Sequence, residues 1–300
     1  MLRYLFLSIL FLLSITMLCS QTTAPSFSAA NFDQLILDYH PEQREGVIQK
    51  DFERGLFYLE ETRNATKGDP EALNYADYWN IMMAFIKLQE PKVHKEIAFQ
   101  KSIDRNPASL CALIDAFGEK SVKSLNTHIP ELFKRFHATC DQYREPEESL
   151  DPLAYAQAGK LDPKLVSLLH EIGENDQLFR GKEVIDWSQQ TPLDRKNMQL
   201  IDSLYQQYKC YIGESLVGKK LSSNMWAVIQ HSTIEDMERY LPVIHQGVQA
   251  GELHATPLKM LLDRIHTIKH GYQFFGSQGG DYDLASAEER AKVEKKYGLE

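Results

Sequence analysis

The 300-residue chain lacks the short motifs that are typical of several large enzyme classes. It contains no glycine-rich phosphate loop, no CxxC pair, no HExxH helix and no GxSxG turn. These motifs are the usual sequence signs of nucleotide, metal and serine-nucleophile sites. No residue stands out as a nucleophile either, which argues against covalent catalysis. The sequence alone therefore does not name a reaction.

An excess of basic residues is also missing. Lysine and arginine number 33 against 42 aspartates and glutamates, which gives a formal net charge of −9. A general nucleic-acid binder needs a basic face, so no nucleic-acid partner is predicted. With 43% hydrophobic and 25% charged residues, the chain has a globular balance that excludes collagen-like and wholly disordered proteins. Its length allows one large domain or two smaller ones.

Only one long hydrophobic run is present, and it lies at the N-terminus. Arg3 precedes the apolar run Leu5–Leu18, which is shorter than the roughly 18–20 residues needed to span a bilayer. Residues 1–20 are therefore predicted to be a cleaved secretory signal peptide, which implies a periplasmic or extracellular protein without a transmembrane segment after cleavage. Two alternatives stay open: lipidation of Cys19, which the large Leu18 disfavours, and an uncleaved N-terminal anchor.

Cysteine is scarce. Three cysteines remain after cleavage, Cys111, Cys140 and Cys210, and an odd number cannot pair fully. Cys111 and Cys140 are the candidate pair because they lie in the same region, although three buried thiols are the slightly favoured alternative. The spacings match no metal site, and neither a metal nor a cofactor is predicted.

Strand-type segments rich in valine, isoleucine and threonine are nearly absent. Apolar residues instead recur at steps of three and four, so the prediction is a mainly α protein with two packed helical parts and little or no β structure. The first part covers residues 31–148 and the second covers residues 160–300. Between them, the acidic segment Arg144–Pro152 contains two prolines and is predicted to be a linker or exposed loop.

In the first part, helices are predicted over Gln49–Arg63, Tyr75–Gln89 and Val93–Arg105. One 30-residue stretch, residues 75–107, resembles a single unit of the tetratricopeptide helical repeat. The matching residues are Trp79, Met82, Ile86, Phe99, Ser102 and Pro107. Met83 stands where that motif has a small residue, and no second unit falls in register. Both a helix pair packed on the rest of the protein and a peptide-binding array remain open.

The second part is predicted to contain six helices and one loop. Two of the helices cover Lys164–Ile172 and Asp194–Cys210, and a third is capped by Ser222 or Ser223. A fourth has Pro242 at or near its start, and the fifth has Thr256 as its N-cap and ends at Gly271. The loop 272–283 and a last helix, Ser286–Tyr297, follow.

An ordered set of residues in the second part resembles a bacterial family, a domain of unknown function. The resemblance covers about residues 165–300, and Phe275 and Ser277 stand where the family tends to have tyrosine and threonine. It implies which positions matter and supplies no activity. The matching residues are Asp176, Gln177, Arg180, Asp194, Asn197, Gly218, Trp226, Gln230, His231, Leu241, Pro242, Gly251, Asp263, Arg264, Gly271, Gln273, Phe275, Gly276, Gln278, Gly298 and Leu299.

Several of these positions carry side chains with useful chemistry. His231 is a candidate general base or ligand, and a buried histidine bonded to a backbone carbonyl is the structural alternative. Asp263 is a candidate catalytic residue, and Arg264 can donate two hydrogen bonds to a carboxylate or phosphate. An ordinary buried aspartate–arginine pair is the alternative for these two residues.

The other candidates are amides and one helical set. Gln273 and Gln278 flank a glycine and a serine, and this loop either reads a ligand or is fixed by its own amides. Asp176, Gln177 and Arg180 form an i, i+1, i+4 set in which the charged residues can pair. Asp263, His266 and His270 share a helix face with His254 upstream, and a solvated polar face is favoured there over a zinc site.

The predicted function is an exported helical protein that binds a small polar or anionic ligand in the second part. The predicted pocket brings together Gln230, His231, Asp263, Arg264, Gln273 and Gln278, with Asp176, Gln177 and Arg180 as further binding residues. One alternative is a hydrolase or lyase with His231 as general base and Arg264 as charge stabiliser. Another is a module that docks an envelope protein and whose polar cluster is purely structural.

Overall fold

The computed structural model describes residues 27–143, 150–180, 185–279 and 282–299, and it is mainly α-helical. This confirms the predicted fold class. The chain forms two compact units, Met1–Arg144 (unit 1) and Glu145–Glu300 (unit 2). The boundary between them falls at the start of the predicted linker Arg144–Pro152, most of which lies outside the described residues.

The predicted signal peptide, residues 1–20, also lies outside the described residues. Within the part of the chain that the structure describes, no helix combines the length and the apolar character needed to cross a membrane. The export of the protein therefore stays a prediction from the sequence.

Unit 1 is a helical array built around one aromatic-rich core. The central helix α3 packs against α2 on one side and α4 on the other. Short 3-10 turns at Pro70–Ala72 and Cys140–Tyr143 complete the unit. Its α-helices are α1 (Phe32–Ile36), α2 (Gln49–Thr66), α3 (Tyr75–Lys87), α4 (Lys92–Arg105), α5 (Pro107–His128) and α6 (Pro130–His137).

Local sequence signals set the ends of these helices. Asn74 caps α3, because its side-chain oxygen accepts hydrogen bonds from the amides of Ala76 and Asp77. In turn, the Asp77 carboxylate accepts a hydrogen bond from the backbone amide of Asn74. Helix α5 is interrupted at Gly118, whose φ of 64° is a left-handed conformation that favours glycine. The apolar faces of α3 and α4 that the sequence indicates are buried, with Met82 and Phe99 both fully inaccessible.

A disulfide joins Cys111 in α5 to Cys140 in the 3-10 turn after α6, across 29 residues of chain. Both cysteines are buried, whereas Cys210 in unit 2 is free and exposed. The slightly favoured prediction of three buried thiols was therefore wrong. Their sequence spacing could not decide the matter, because it is the turn of the chain after α6 that brings the two cysteines together.

Unit 2 contains eight helices within the described residues and a minimal two-stranded parallel sheet. Strand β1 (Tyr272–Gln273) follows α13 and pairs with β2 (Asp283–Leu284). The helices are α7 (Pro152–Gly159), α8 (Pro163–Gln177), α9 (Trp187–Tyr208), α10 (Glu214–Val217), α11 (Asn224–Gln230), α12 (Ile234–Gln249), α13 (Ala255–His270) and α14 (Ala287–Tyr297).

Helix α8 occupies the centre of unit 2, where it contacts α7, α9 and α11. Its buried apolar face includes Val166, Leu169 and Ile172. Helix α11 contacts α13 as well as α8 and α9, and β1 packs on α13. The polar residues at the ends of α8, α11 and α13 are therefore carried by helices that are direct neighbours.

Two predicted helix starts in unit 2 were wrong. Helix α9 begins at Trp187 rather than Asp194, with Asp186 as its cap, and it retains Pro192 inside. Helix α12 begins at Ile234, so that Pro242 lies in its interior and not near its start. Each interior proline removes one backbone donor, and the packed length of the helix outweighs that local cost.

The predicted cap of α13 was also wrong. His254, and not Thr256, is the N-cap, because its side chain accepts a hydrogen bond from the Thr256 amide. Since histidine is an uncommon capping residue, the Thr256–Pro257 pair was the stronger sequence signal. The predicted end of this helix at Gly271 is confirmed, with Gly271 in the left-handed conformation.

The disulfide of unit 1 leads to a prediction about stability. Replacing both cysteines, Cys111→Ala with Cys140→Ala, removes a cross-link over 29 residues and should lower the free energy of unfolding of unit 1 by about 3–4 kcal/mol. Chemical denaturation of the full chain, with Trp187→Phe and Trp226→Phe in every variant so that Trp79 is the tryptophan that reports, measures the change by fluorescence. Cys210→Ala is the matched control and should leave the transition in place, whereas an unchanged midpoint in the double variant would contradict the prediction.

Candidate functional site

A buried carboxylate holds the candidate histidine. Asp176, in the last turn of α8, is 1% exposed, and its two carboxylate oxygens lie 3.0 and 2.9 Å from Nδ1 of His231. His231 follows directly after α11, and its side chain keeps 24% of its surface exposed. A carboxylate can only accept, so Nδ1 carries the proton and Nε2 presents its lone pair when the ring is neutral. No described residue bonds to Nε2.

Arg180 lies on the other side of Asp176. Its guanidinium binds both carboxylate oxygens of Asp194, at 2.8 and 2.6 Å, and it also donates to the Asp176 backbone carbonyl. The predicted contact between Arg180 and the Asp176 carboxylate is present but long, at 3.5 Å. Since α8 ends at Gln177, Arg180 belongs to the segment after the helix, and its main partner is on α9.

Gln190 completes the network that joins α8 to α9. Its amide nitrogen donates to Asp194 at 2.7 Å and to the backbone carbonyls of Asn175 and Asp176, while its oxygen accepts from the Phe179 amide. Gln190 is fully buried and was absent from the sequence-based candidates. The only available signal was its position one helical turn before Asp194, which is weak without knowing where α9 begins.

Asp263 organises the loop after α13. Its carboxylate, which is fully buried, accepts hydrogen bonds from the amides of Phe274, Phe275 and Ser277 and from the Ser277 hydroxyl, all between 2.6 and 2.9 Å. These four bonds occupy both carboxylate oxygens. The geometry therefore favours a structural role for Asp263, and it provides neither the ion pair with Arg264 nor a free base.

The two loop glutamines contact each other. The Gln278 amide donates to Oε1 of Gln273 at 2.9 Å, and the Gln278 side chain donates to the Met260 carbonyl at 3.2 Å. Gln273 is fully buried, whereas Gln278 is half-buried. Of the two alternatives for this loop, the contacts match the one in which its own amides fix it.

Arg264 is the exception among the charged candidates. It is half-buried, and no described residue accepts a hydrogen bond from it or forms an ion pair with it. Its Nε is fully buried and has no acceptor. Burial lowers the pKa of Arg264, and the nearby positive charge of Arg180 lowers it further. The charge of Arg180 therefore acts on Arg264, and of the two guanidinium groups only that of Arg180 is neutralised by an ion pair.

Further buried polar atoms without partners lie on α9 and α11. They are Nε1 of Trp226, Oε1 of Gln230 and Oδ1 of Asn197. Trp226 and Gln230 are four residues apart on α11, so one donor and one acceptor occupy the same helix face next to His231. Buried polar atoms are normally paired, and each exception calls for an explanation.

The histidine face of α13 shows no metal geometry. Asp263 is occupied by the loop, and the rings of His266 and His270 lie 5.2 Å apart between centroids. Burial lowers the pKa of His266, as does the neighbouring His270. No group of three or more histidine, cysteine, aspartate or glutamate side chains in the described residues could hold a metal ion.

Seven of the nine predicted site residues thus fall into two bonded groups, and Gln230 and Arg264 belong to neither. One contains Asp176, Gln177, Arg180 and His231, in which Gln177 donates to Asp176 at 2.6 Å. The other contains Asp263, Gln273 and Gln278. Arg264 is related to both groups. It lies on α13 next to Asp263, and it interacts electrostatically with Arg180 of the other group.

The bonding of Asp263 leads to a prediction. Asp263→Asn places an NH2 group against donors of the loop, and the loss of charged hydrogen bonds should lower the free energy of unfolding of unit 2 by about 3 kcal/mol. Thermal unfolding measures the loss. Asp162→Asn is the matched control, since Asp162 caps α8 from an exposed position and asparagine caps equally well. Equal stability of the two variants would show that Asp263 does not hold the loop.

Comparison with protein-family models, with curated proteins and with solved structures yields no match for this chain. The resemblance of residues 165–300 to a bacterial family of unknown function stays a prediction, as does the tetratricopeptide-like unit. The function therefore has to be argued from the side-chain geometry of the units themselves.

Proposed function

We propose that unit 2 binds a small anionic ligand, a carboxylate or a phosphate, at Arg264. The supporting observation is that Arg264 is half-buried, has a fully buried Nε and meets no acceptor among the described residues. A buried charge without a partner is costly, so such groups are normally paired. An anionic ligand supplies the missing partner, and a guanidinium binds carboxylates and phosphates with two parallel hydrogen bonds.

The surrounding charges favour an anion further. Arg180 is close enough to lower the pKa of Arg264, yet its own charge is balanced by the two-bond contact with Asp194. Arg264 therefore retains an unbalanced positive charge in an otherwise acidic chain. Because its Nε is excluded from water, an ion pair formed there is screened less by salt than one on the surface.

Neutral groups on α11 suit the remaining polar atoms of such a ligand. Trp226 offers a buried N–H donor and Gln230 a buried acceptor, and neither atom has a partner among the described residues. Helix α11 packs against α13, the helix of Arg264. A small anion with a hydroxyl or amide group is therefore the ligand class that this part of unit 2 fits best. Cleavage of residues 1–20 would place the binding in the cell envelope.

A second candidate function is hydrolysis or elimination with His231 as general base. The specific observation is the contact between Asp176 and Nδ1 of His231, which fixes the ring and directs the Nε2 lone pair away from the carboxylate. An aspartate in this position also stabilises the protonated imidazole that forms during proton transfer. Arg264 would then stabilise the developing negative charge. A purely structural cluster in a protein-docking module is the remaining alternative.

The anion proposal predicts opposite effects of Arg264→Met with and without ligand. Without an anion, the variant should unfold at a higher temperature than the wild type, because it replaces an unpaired, half-buried charge with an apolar side chain of similar length. Inorganic phosphate and citrate should raise the unfolding temperature of the wild type through binding to the folded state. The variant should lose this increase.

Arg195→Met is the matched control for these measurements. Arg195 lies on α9, is exposed, and has no ion pair among the described residues. The control should respond to phosphate as the wild type does, which separates site binding from the general stabilising effect of phosphate. If Arg264→Met lowers stability, or if its response to both anions equals that of the control, the proposed function fails.

The second candidate predicts a loss of turnover in His231→Gln. With aryl phosphate and aryl ester substrates, removal of the general base should lower the rate about 10²–10⁴-fold, and Asp176→Asn should have a similar effect through the ring orientation. His170→Gln is the control because His170 lies on α8 outside this contact. Wild-type turnover that His231→Gln leaves unchanged would argue against the enzyme.

A further inference from the structure

Unit 1 contains a cavity that is separate from the candidate site of unit 2. Its volume is about 490 Å³, which is enough for a small molecule. Helices α2, α3, α4 and α5 all contribute to its wall. The lining residues are Asp51, Ile86, Lys87, Gln89, Lys95 and His128.

Lys95 differs from the other lysine of this wall. Lys87 forms a 2.6 Å ion pair with Asp51, and both side chains are about one-third exposed. Lys95 is only 8% exposed, and no described residue accepts a hydrogen bond from its amine or lies within ion-pair distance of it. Lysine side chains are rarely so buried without a partner. Nζ of Lys95 is not one of the fully buried unpaired atoms of the described residues, so the amine is open to the cavity while most of its side chain is buried.

The carboxylate of Glu90, whose charge acts on Lys95, is already occupied. Glu90 accepts a hydrogen bond from the Tyr39 hydroxyl at 2.5 Å, forms an ion pair with Arg44 at 2.6 Å and contacts Nδ1 of His94 at 3.2 Å. These partners use both oxygens of Glu90, so its charge reaches Lys95 only over a longer distance. The amine at the cavity is therefore left without a counterion among the described residues.

The electrostatic surroundings of Lys95 make its amine easier to deprotonate than an exposed lysine. Burial lowers the pKa of Lys95, Arg44 lowers it further, and Glu90 opposes the shift. His128, at the end of α5, also has a lowered pKa, because it is partly buried and close to the charge of Lys95. Desolvation and neighbouring cations are the two conditions that turn a lysine into a nucleophile at neutral pH.

We propose that Lys95 is a reactive amine that forms an imine with small aldehydes or keto acids entering the cavity of unit 1. The proposal stands on three observations: the side chain of Lys95 is largely buried, its amine has no partner among the described residues, and it lines the cavity. It does not depend on the anion site of unit 2. Packing alone would explain the buried methylene groups of Lys95, but it would not explain why an unpaired amine lies at a cavity.

The reaction balances without a redox partner. The Nζ lone pair attacks the carbonyl carbon, a C–N bond forms as the C=O π bond breaks, and one proton moves from the nitrogen to the oxygen to give a carbinolamine. The hydroxyl then takes up a second proton and leaves as water, and the nitrogen releases its last proton so that a neutral C=N bond remains. His128 in its neutral form can accept the proton that the nitrogen releases, and hydrolysis by water reverses the sequence.

The test uses glyoxylate as the probe, with cyanoborohydride to reduce the imine to a stable carboxymethyl amine. The full chain is treated at neutral pH with limiting glyoxylate, and peptide mass spectrometry measures the labelling of each lysine. Lys95 should be labelled severalfold faster than Lys92, an exposed lysine of the same helix whose side chain pairs with Glu96. Labelling of Lys95 that is no faster than that of Lys92 would overturn the proposal.

Three variants keep the result interpretable. Lys95→Arg retains the charge and should lose the fast adduct, whereas Lys92→Arg should retain it. Lys95→Met keeps the apolar stem and removes the amine, so it should raise the unfolding temperature if the amine is held at a cost to stability. A lowered unfolding temperature in Lys95→Met, like slow labelling in the wild type, would assign Lys95 a structural role instead.

Discussion

The polar interior of unit 2 depends on the buried carboxylate of Asp176. Its side chain fixes His231 after α11, and its backbone carbonyl accepts bonds from Arg180 and from Gln190 on α9. Arg180 in turn binds Asp194 with two hydrogen bonds, so one residue at the end of α8 connects three helices. A carboxylate that is 1% exposed is tolerated only because donors surround it. Loss of His231 or Gln177 as a donor would leave the buried charge of Asp176 less well compensated.

The buried carboxylate of Asp263 is likewise surrounded by donors, but it fixes a loop and not a set of helices. Three backbone amides and one hydroxyl converge on its carboxylate, which fixes residues 274–277 against α13. Because all the polar atoms involved are paired, this part of unit 2 is stable without a ligand. Arg264 is the next residue on the same helix, yet its guanidinium has no partner among the described residues. This difference from Asp263 is why we assign a ligand to Arg264.

The sequence predicts the helices better than their ends and partners. Apolar spacing correctly indicates buried positions on α3, α4 and α13, such as Met82, Phe99 and Leu262, because burial follows the helical period directly. It also predicts that Ile268 near the end of α13 is buried, and this was wrong, since Ile268 is 55% exposed. It cannot place Pro242 inside α12, since the cost of an interior proline is offset by packing along the whole helix. The cap at His254 and the disulfide between Cys111 and Cys140 likewise depend on neighbours distant from the local pattern.

The same limit applies to the candidate residues. Asp176 and His231 could be selected individually, but a spacing of 55 residues gives no sign that they are in contact. The burial of Lys95 could have been predicted from the sequence, because Lys95 lies one helical turn before Phe99 and thus on the buried face of α4. A charged residue on an apolar stripe is easily taken for a side chain that reaches solvent. Only the absence of a partner separates it from such a residue.

Arg264 and Lys95 are both buried cations without partners, yet they call for different chemistry. A guanidinium keeps its proton in a protein, so Arg264 can lower its burial cost only by pairing with an anion. An amine can instead release its proton, and the lowered pKa of Lys95 increases the fraction of amine that carries a nucleophilic lone pair. The surroundings match this difference, since Arg264 lies beside Arg180 and Lys95 lines a cavity with the ionisable His128. The same physical problem thus supports reversible anion binding in unit 2 and imine formation in unit 1.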